Sequence, residues 1–130
     1  MHKKTVTIKE THLDSFDHVN NATYLELFEE ARWDLITEGG YGLDRIKETG
    51  IGPTILAIDI KFKRELRLRE KITIETELQS FEGKIGKIKQ EMLLKDGSLA
   101  CEALFTIAVF DMEKRKLVEP DEAWLTALGK

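Results

Sequence analysis

The chain has a single cysteine in 130 residues, which excludes an internal disulfide. Burial and hydrogen bonding must therefore hold the fold. That residue, Cys101, falls in an alternating apolar run and reads as core, not as a nucleophile. Such sparing use of cysteine fits a reducing compartment. There are only two prolines, Pro53 and Pro120, both at expected element boundaries. No linker, repeat or low-complexity tract interrupts the chain, so residues 1–130 are expected to form one domain. No apolar run approaches the ~18–20 residues of a membrane span. Met1-His2-Lys3-Lys4-Thr5 opens an alternating run instead of a leader. A soluble cytoplasmic protein with no membrane partner is expected. The three histidines, His2, His12 and His18, lack metal-ligand spacing, so no metal site is expected. A Gly-rich phosphate loop, a Cys-x-x-Cys pair and a Ser-His-Asp order are all missing, so no redox cofactor is expected. The net charge of −4 argues against nucleic acid as a partner. What is present is 42% hydrophobic residues, enough for a core, and 34% charged residues, enough for a solvated surface.

Hydrophobic periodicity divides the chain into an early helix and a later set of strands. Thr5 to Ile8 reads as a short first strand. From Asn21 to about Glu38, Tyr24, Leu25, Phe28, Ala31, Leu35 and Ile36 recur at helical spacing. Gly39-Gly40 supplies a helix stop. Leu43 to Thr49 predicts a second short helix closed by Gly50. Leu56, Ile58, Ile60 and Phe62 then alternate with Ala57, Asp59, Lys61 and Lys63, as in a half-buried strand. Ile72, Ile74, Thr76 and Leu78 do the same. Glu82-Gly83-Lys84 and Lys95-Asp96-Gly97-Ser98 are turn signals around a strand from Ile85 to Leu94. Leu99, Cys101, Ala103, Phe105, Ile107 and Val109 form one face of a long last strand. Leu104, Ala108 and Phe110 make its other face apolar too, so partial cover is expected there. Asp121 to Leu128 predicts a short C-terminal helix. The class is α+β: one long helix and a mostly antiparallel sheet.

The most informative segment is His12 to Arg32, HLDSFDHVNNATYLELFEEAR. An acidic loop from Asp14 to Asp17 runs into His18-Val19-Asn20-Asn21, and the asparagines open the helix. Asn is a preferred N-cap because its side-chain oxygen accepts from unpaired N–H groups of the first turn. A helix start offers free donors and a positive dipole end, suited to a polarised carbonyl or an oxyanion. A carboxylate facing a carbonyl held in this way can hydrolyse an acyl group.

Asp14, His18-Val19-Asn20-Asn21, Tyr24 and Phe28-Glu29-Glu30-Ala31-Arg32 match a known pattern in order and spacing. The segment resembles the hot-dog-fold acyl thioesterases, above all the 4-hydroxybenzoyl-CoA thioesterase-like enzymes and also the acyl-ACP thioesterases. The resemblance implies a hot-dog fold, an antiparallel sheet wrapped around one long central helix. It implies a homodimer or homotetramer with active sites at the dimer interface. The implied substrate is an acyl-CoA or acyl-ACP thioester, cleaved without a cofactor. Asp14 takes the position of the catalytic acid, as nucleophile or as general base on water. Asn21 takes the position whose backbone N–H polarises the thioester carbonyl. Two departures stand out. Asp17 replaces a small or polar residue, and Phe16 replaces an Asn found in the acyl-ACP branch.

Each of these residues also has a plainer reading. Asp14 can be a turn acid. His18 can shuttle a proton or simply hold the loop. Asn20 and Asn21 can be caps alone. Tyr24 can line an acyl pocket or pack in the core. Glu29 and Glu30 offer a second acid or a solvated helix face. Lys61, Lys63, Arg64, Arg67 and Arg69 form a basic cluster able to bind the phosphates of coenzyme A or an acidic carrier protein. Interleaved with Glu65 and Glu70, the same cluster also reads as a solvated strand end. Three functions compete: a thioesterase, a hot-dog enoyl-CoA hydratase pairing Asp14 with His18, and a non-catalytic acyl-binding module.

Overall fold

The computed structural model describes residues 1–130 and resolves the strand signals into one antiparallel sheet. Six strands are present: β1 (His2–Thr7), β2 (Ile51–Phe62), β3 (Lys71–Glu82), β4 (Ile85–Leu93), β5 (Leu99–Asp111) and β6 (Lys116–Val118). Their order in the sheet is β1-β3-β4-β5-β2, with β6 paired to β5 beyond the end of β4. The long helix α1 (Asn21–Glu38) crosses the inner face, followed by α2 (Leu43–Thr49) and, after the strands, α3 (Glu122–Ala127). This is the hot-dog fold, α+β, with a curled sheet about a central helix. No helix is long and apolar enough to cross a membrane.

α1 begins and ends where its residues dictate. Asn20 is the N-cap, with extended backbone and a side-chain oxygen that accepts from the Ala22 N–H at 2.8 Å. At the other end the two glycines have different tasks. Gly40 takes the left-handed conformation at φ 94°. Gly39 has an ordinary φ of −79°, yet a Cβ there would stand 2.5 Å from the Ala127 Cα of α3. Its lack of a side chain lets α3 seat against the end of α1. The neighbour is backbone, which cannot move aside as a flexible side chain can. Gly39→Ala is therefore expected to cost about 1–3 kcal/mol by overpacking, read as a lower chemical-denaturation midpoint. An unchanged midpoint would show that α3 docks with room to spare.

The buried side of α1 is Tyr24, Leu27, Phe28, Ala31 and Ile36. Leu27 joins this set although the sequence pattern did not single it out. Phe28 meets Phe105 of β5 edge-on, with ring centroids 5.9 Å apart. Along β3, β4 and β5 the inward residues alternate as expected: Ile72, Ile74 and Thr76, then Ile88, Gln90 and Met92, then Cys101 through Val109. The outer face of β5 is covered only in part. Ala108 is buried, Leu104 is exposed, and the Arg115 guanidinium lies 5.4 Å from the Phe110 ring.

Two polar residues are buried on the inner face, and both serve α1. The Gln90 side-chain amide donates to the Phe28 carbonyl at 3.0 Å and to Thr76 Oγ1 at 2.9 Å. Its Oε1 accepts from Arg32 Nη1 at 2.9 Å. One amide thus joins β4, β3 and two successive turns of the helix, with its own donor and acceptor atoms both engaged. Gln90→Leu would keep the volume but leave Arg32 without its acceptor. We expect it to lose about 2–3 kcal/mol of stability by urea unfolding, as for a charged group deprived of its hydrogen bond. A loss within experimental error would mean that apolar packing alone seats the helix.

Three details lay outside the sequence pattern. β2 starts earlier than its alternation suggests, and Leu56 is an extra residue in a β-bulge between Ile55 and Ala57. β1 covers His2–Thr7, so Ile8 lies beyond its end, fully buried and hydrogen-bonded to Glu70 and Arg69. β6 is only three residues long, too short for an alternating signal.

Candidate active site

The loop before α1 is a closed structure. The Asp14 N–H donates to the His18 carbonyl at 2.8 Å, and Leu13 bridges Val19. Asp14 Oδ1 in turn accepts from the Phe16 N–H at 2.9 Å and the His18 N–H at 3.2 Å. Such an Asx turn orients the carboxylate and leaves its second oxygen without a protein partner. Asp17 sits at φ 61°, in the left-handed region. This explains the departure at that position, because Asp is among the few residues besides Gly that tolerate such backbone. Phe16 projects to solvent, 78% exposed.

The helix start next to this loop has a free donor. The N–H groups of Ala22, Thr23 and Tyr24 are all taken up by Asn20 or Asn21 oxygens. The Asn21 N–H has no acceptor, and Asn21 opens into a cleft. The cleft is lined by His18, Val19, Tyr24, Phe62, Lys63 and Arg64, with Glu65 at its edge. The tertiary structure therefore gathers five of the six sequence candidates, His18, Asn21, Tyr24, Lys63 and Arg64, around one opening. The sixth, Asp14, lies in the adjoining loop turn, joined to His18 by the bonds above.

The individual roles separate on geometry. The Tyr24 ring is buried and meets Phe62 edge-on at 5.0 Å, so it is both core and wall. Burial raises its phenol above the ordinary value, which keeps it protonated at neutral pH. The His18 imidazole reaches Glu65 Oε1 at 3.1 Å, while Asp14 takes only the His18 backbone N–H. The Asp14 and His18 side chains thus do not pair with each other. Glu65 is the residue that sequence reasoning passed over; its one signal was an acid interrupting the basic run. Arg64 donates to Ser98 Oγ at 2.7 Å and stands 3.8 Å from Asp96. Hydrogen bonds from Ser98, with Arg64 nearby, hold the Asp96 carboxyl below the usual range. Lys61, Arg67 and Arg69 are exposed, and Arg69 pairs with Glu10. Glu29 and Glu30 are exposed on α1. Burial pushes the Cys101 thiol up to about 12, so it stays protonated and inert. No cluster of His, Cys, Asp and Glu able to hold a metal is present.

The chain thus combines a hot-dog sheet with an unpaired helix-start amide beside an oriented carboxylate. The chain belongs to the thioesterase-like superfamily, whose family model matches residues 6–128. It is similar to the long-chain acyl-CoA thioesterase FadM of Escherichia coli strain K12, 34% identical over 112 residues, which cover 85% of this chain and 84% of that protein. Among solved structures, YbaW from Escherichia coli superposes with a TM-score of 0.87 at 29% identity, over 100% of both chains. The protein SAV2348 from Staphylococcus aureus, solved in complex with CoA, superposes at 0.91 over 97% of this chain and 80% of its own, at 17% identity. That last likeness is one of fold.

Proposed function

We propose that this protein hydrolyses an acyl-CoA thioester to the free acid and coenzyme A. The observation that carries the reading is the unpaired Asn21 N–H at the start of α1, opening beside the loop that orients Asp14. The thioester carbonyl accepts from that N–H, which strengthens its hold as negative charge develops on oxygen. The free Asp14 oxygen either attacks the carbonyl carbon or takes a proton from an attacking water. The carbon–sulfur bond breaks and the thiolate leaves and is protonated as coenzyme A; after direct attack the acyl group remains on Asp14 as an anhydride, which a water hydrolyses to the free acid and the restored carboxylate. Tyr24 and Phe62 shape the wall nearest the thioester. Lys63 and Arg64 suit the phosphates of coenzyme A. An acyl carrier protein is the alternative carrier for the same basic rim.

The site is proposed to be completed by a second copy of the chain. β2 pairs with β5 on one side only and leaves its other edge open. Ile55, Leu56, Ile58 and Phe62 on that strand are exposed, an apolar edge of the kind that recruits another strand. The test of function is release of free thiol from acyl-CoAs, short to long and aromatic. Turnover of at least one supports the reading; turnover only of acyl carrier protein thioesters would move the substrate to that carrier. Hydration of an enoyl-CoA without thiol release would overturn the reading.

A further inference from the structure

Between α1, the β2–β5 pair and α3 lies a cavity of about 120 Å³, separate from the cleft at Asn21. Its walls are mostly apolar, among them Trp33, Ile55, Ile107 and Val109. Polar groups on its walls break that pattern: Glu29, Arg32, Thr54 and the tryptophan N–H groups, of which Arg32 and Trp124 hold donors without a protein acceptor. Trp124 is buried, and its indole N–H has no acceptor. The Arg32 guanidinium makes one hydrogen bond, to Gln90, and lies 4.1 Å over the Phe105 ring. Its other N–H groups have no protein acceptor, and no carboxylate is within ion-pairing distance. The nearby Glu29, also on the cavity wall, is solvent-exposed. The buried Trp124 N–H without an acceptor is costly, and partial burial of Arg32 without a carboxylate partner disfavours its charge. Such a cavity is matched by a ligand that is mostly hydrocarbon and brings an acceptor oxygen.

Strand β2 lines both spaces, the cavity through Ile55 and the proposed active site through Phe62. Ile58 and Ile60 share the inner face of β2 with Phe62 at one end and Ile55 at the other, across from Phe105, Ala103, Cys101 and Ile107 of β5. The strand face between the Tyr24–Phe62 wall and the cavity is therefore apolar throughout. At about 120 Å³ the cavity is somewhat smaller than the ~150 Å³ space that accepts a benzene molecule. It has room for the end of an acyl chain, not for a whole one.

Resting on the thioesterase reading, we propose that this cavity is the subsite for the distal end of the acyl group. It selects chains that carry an oxygen there, a hydroxyl, an oxo group or a carboxylate, received by Arg32 and the Trp124 N–H. The shared requirement is an acceptor oxygen on an otherwise apolar chain. A carboxylate matches the guanidinium fork best, because two parallel N–H donors can engage its two oxygens.

The test uses acyl-CoAs in matched sets of equal chain length: unsubstituted, hydroxylated near the end, and ending in a carboxylate. Wild type, Trp124→Phe and Arg32→Met are compared by kcat/KM. Binding constants are measured by calorimetry in the Asp14→Asn background, which spares the substrate. Wild type is expected to favour an oxygenated chain by about 10-fold or more over its unsubstituted partner. Trp124→Phe, which keeps the ring and removes the N–H, should reduce that preference by about 5-fold. Arg32→Met should abolish it. Arg32→Met also strands Gln90; should that variant fail to fold, Trp124→Phe by itself decides the outcome. Equal rates and affinities for oxygenated and plain chains in wild type would overturn the inference, as would a preference that survives both variants. Hydrolysis with no such preference would leave the thioesterase reading standing alone. Oxygen-selective binding without hydrolysis of any thioester would uphold the subsite and overturn the activity.

Discussion

Asp14→Asn is expected to lower kcat by about 10²- to 10⁴-fold, the range of a positioned acid–base group, while acyl-CoA still binds. The substitution retains an oxygen at Oδ1, so the bonds from the Phe16 and His18 N–H groups can persist and the loop keeps its shape. What it removes is the negative charge and basicity of the free oxygen. A neutral amide neither attacks a thioester carbonyl nor takes a proton from water. The Asn21 N–H, fixed by the cap at Asn20, is untouched, so some residual polarisation of the carbonyl survives. Activity within a few-fold of wild type in folded Asp14→Asn would remove Asp14 from the mechanism. The exposed acids of α1, Glu29 and Glu30, would then be next to test.

Ile58→Lys is expected to convert the proposed dimer into a monomer, seen as a halved mass in sedimentation equilibrium. The two edges of the sheet are built differently. β1 is six residues long and carries Lys3 and Lys4, the latter paired with Asp34 of α1. Short strands and lysines are the usual protection of an exposed edge. β2 is twelve residues long, and its edge carries Ile55, Leu56, Ile58 and Phe62. Ile58 is 44% exposed in the isolated chain, so a lysine there is solvated in the monomer and costs its fold little. In a paired edge the same lysine buries a charge without a partner, a penalty of several kcal/mol repeated on both copies. An unchanged mass would mean that the open edge of β2 is not the contact. A monomer with full activity would mean that one chain holds a complete site.

Most elements were legible because their signals are local. Asn20, Asn21 and Gly39-Gly40 bound α1, and the structure places that helix over Asn21–Glu38 as the pattern predicts. Gly83 and Gly97 mark the turns that flank β4. Asp14, the asparagines and Tyr24 were legible as a candidate site because their spacing along the chain matches a known pattern. Other features were not legible. The bulge at Leu56 depends on pairing with β5, and alternation alone places Leu56 in step with Ile58. Gln90 sits in a strand among lysines and glutamates, and nothing local marks it as the buried amide that grips α1. Glu65 pairs with His18 across a long sequence separation, which no periodicity reports.

The sequence by itself determined the class of fold, the ends of the central helix and the chemical character of the loop before it. Those follow from caps, turns and side-chain periodicity, which act over a few residues. The tertiary structure alone decided which donors stay unpaired. Trp124 keeps its N–H unpaired because the seat of α3 buries it in a mostly apolar space, and Arg32 reaches no acceptor but Gln90. Whether a polar group is satisfied depends on every residue that packs around it, and those residues come from distant parts of the chain.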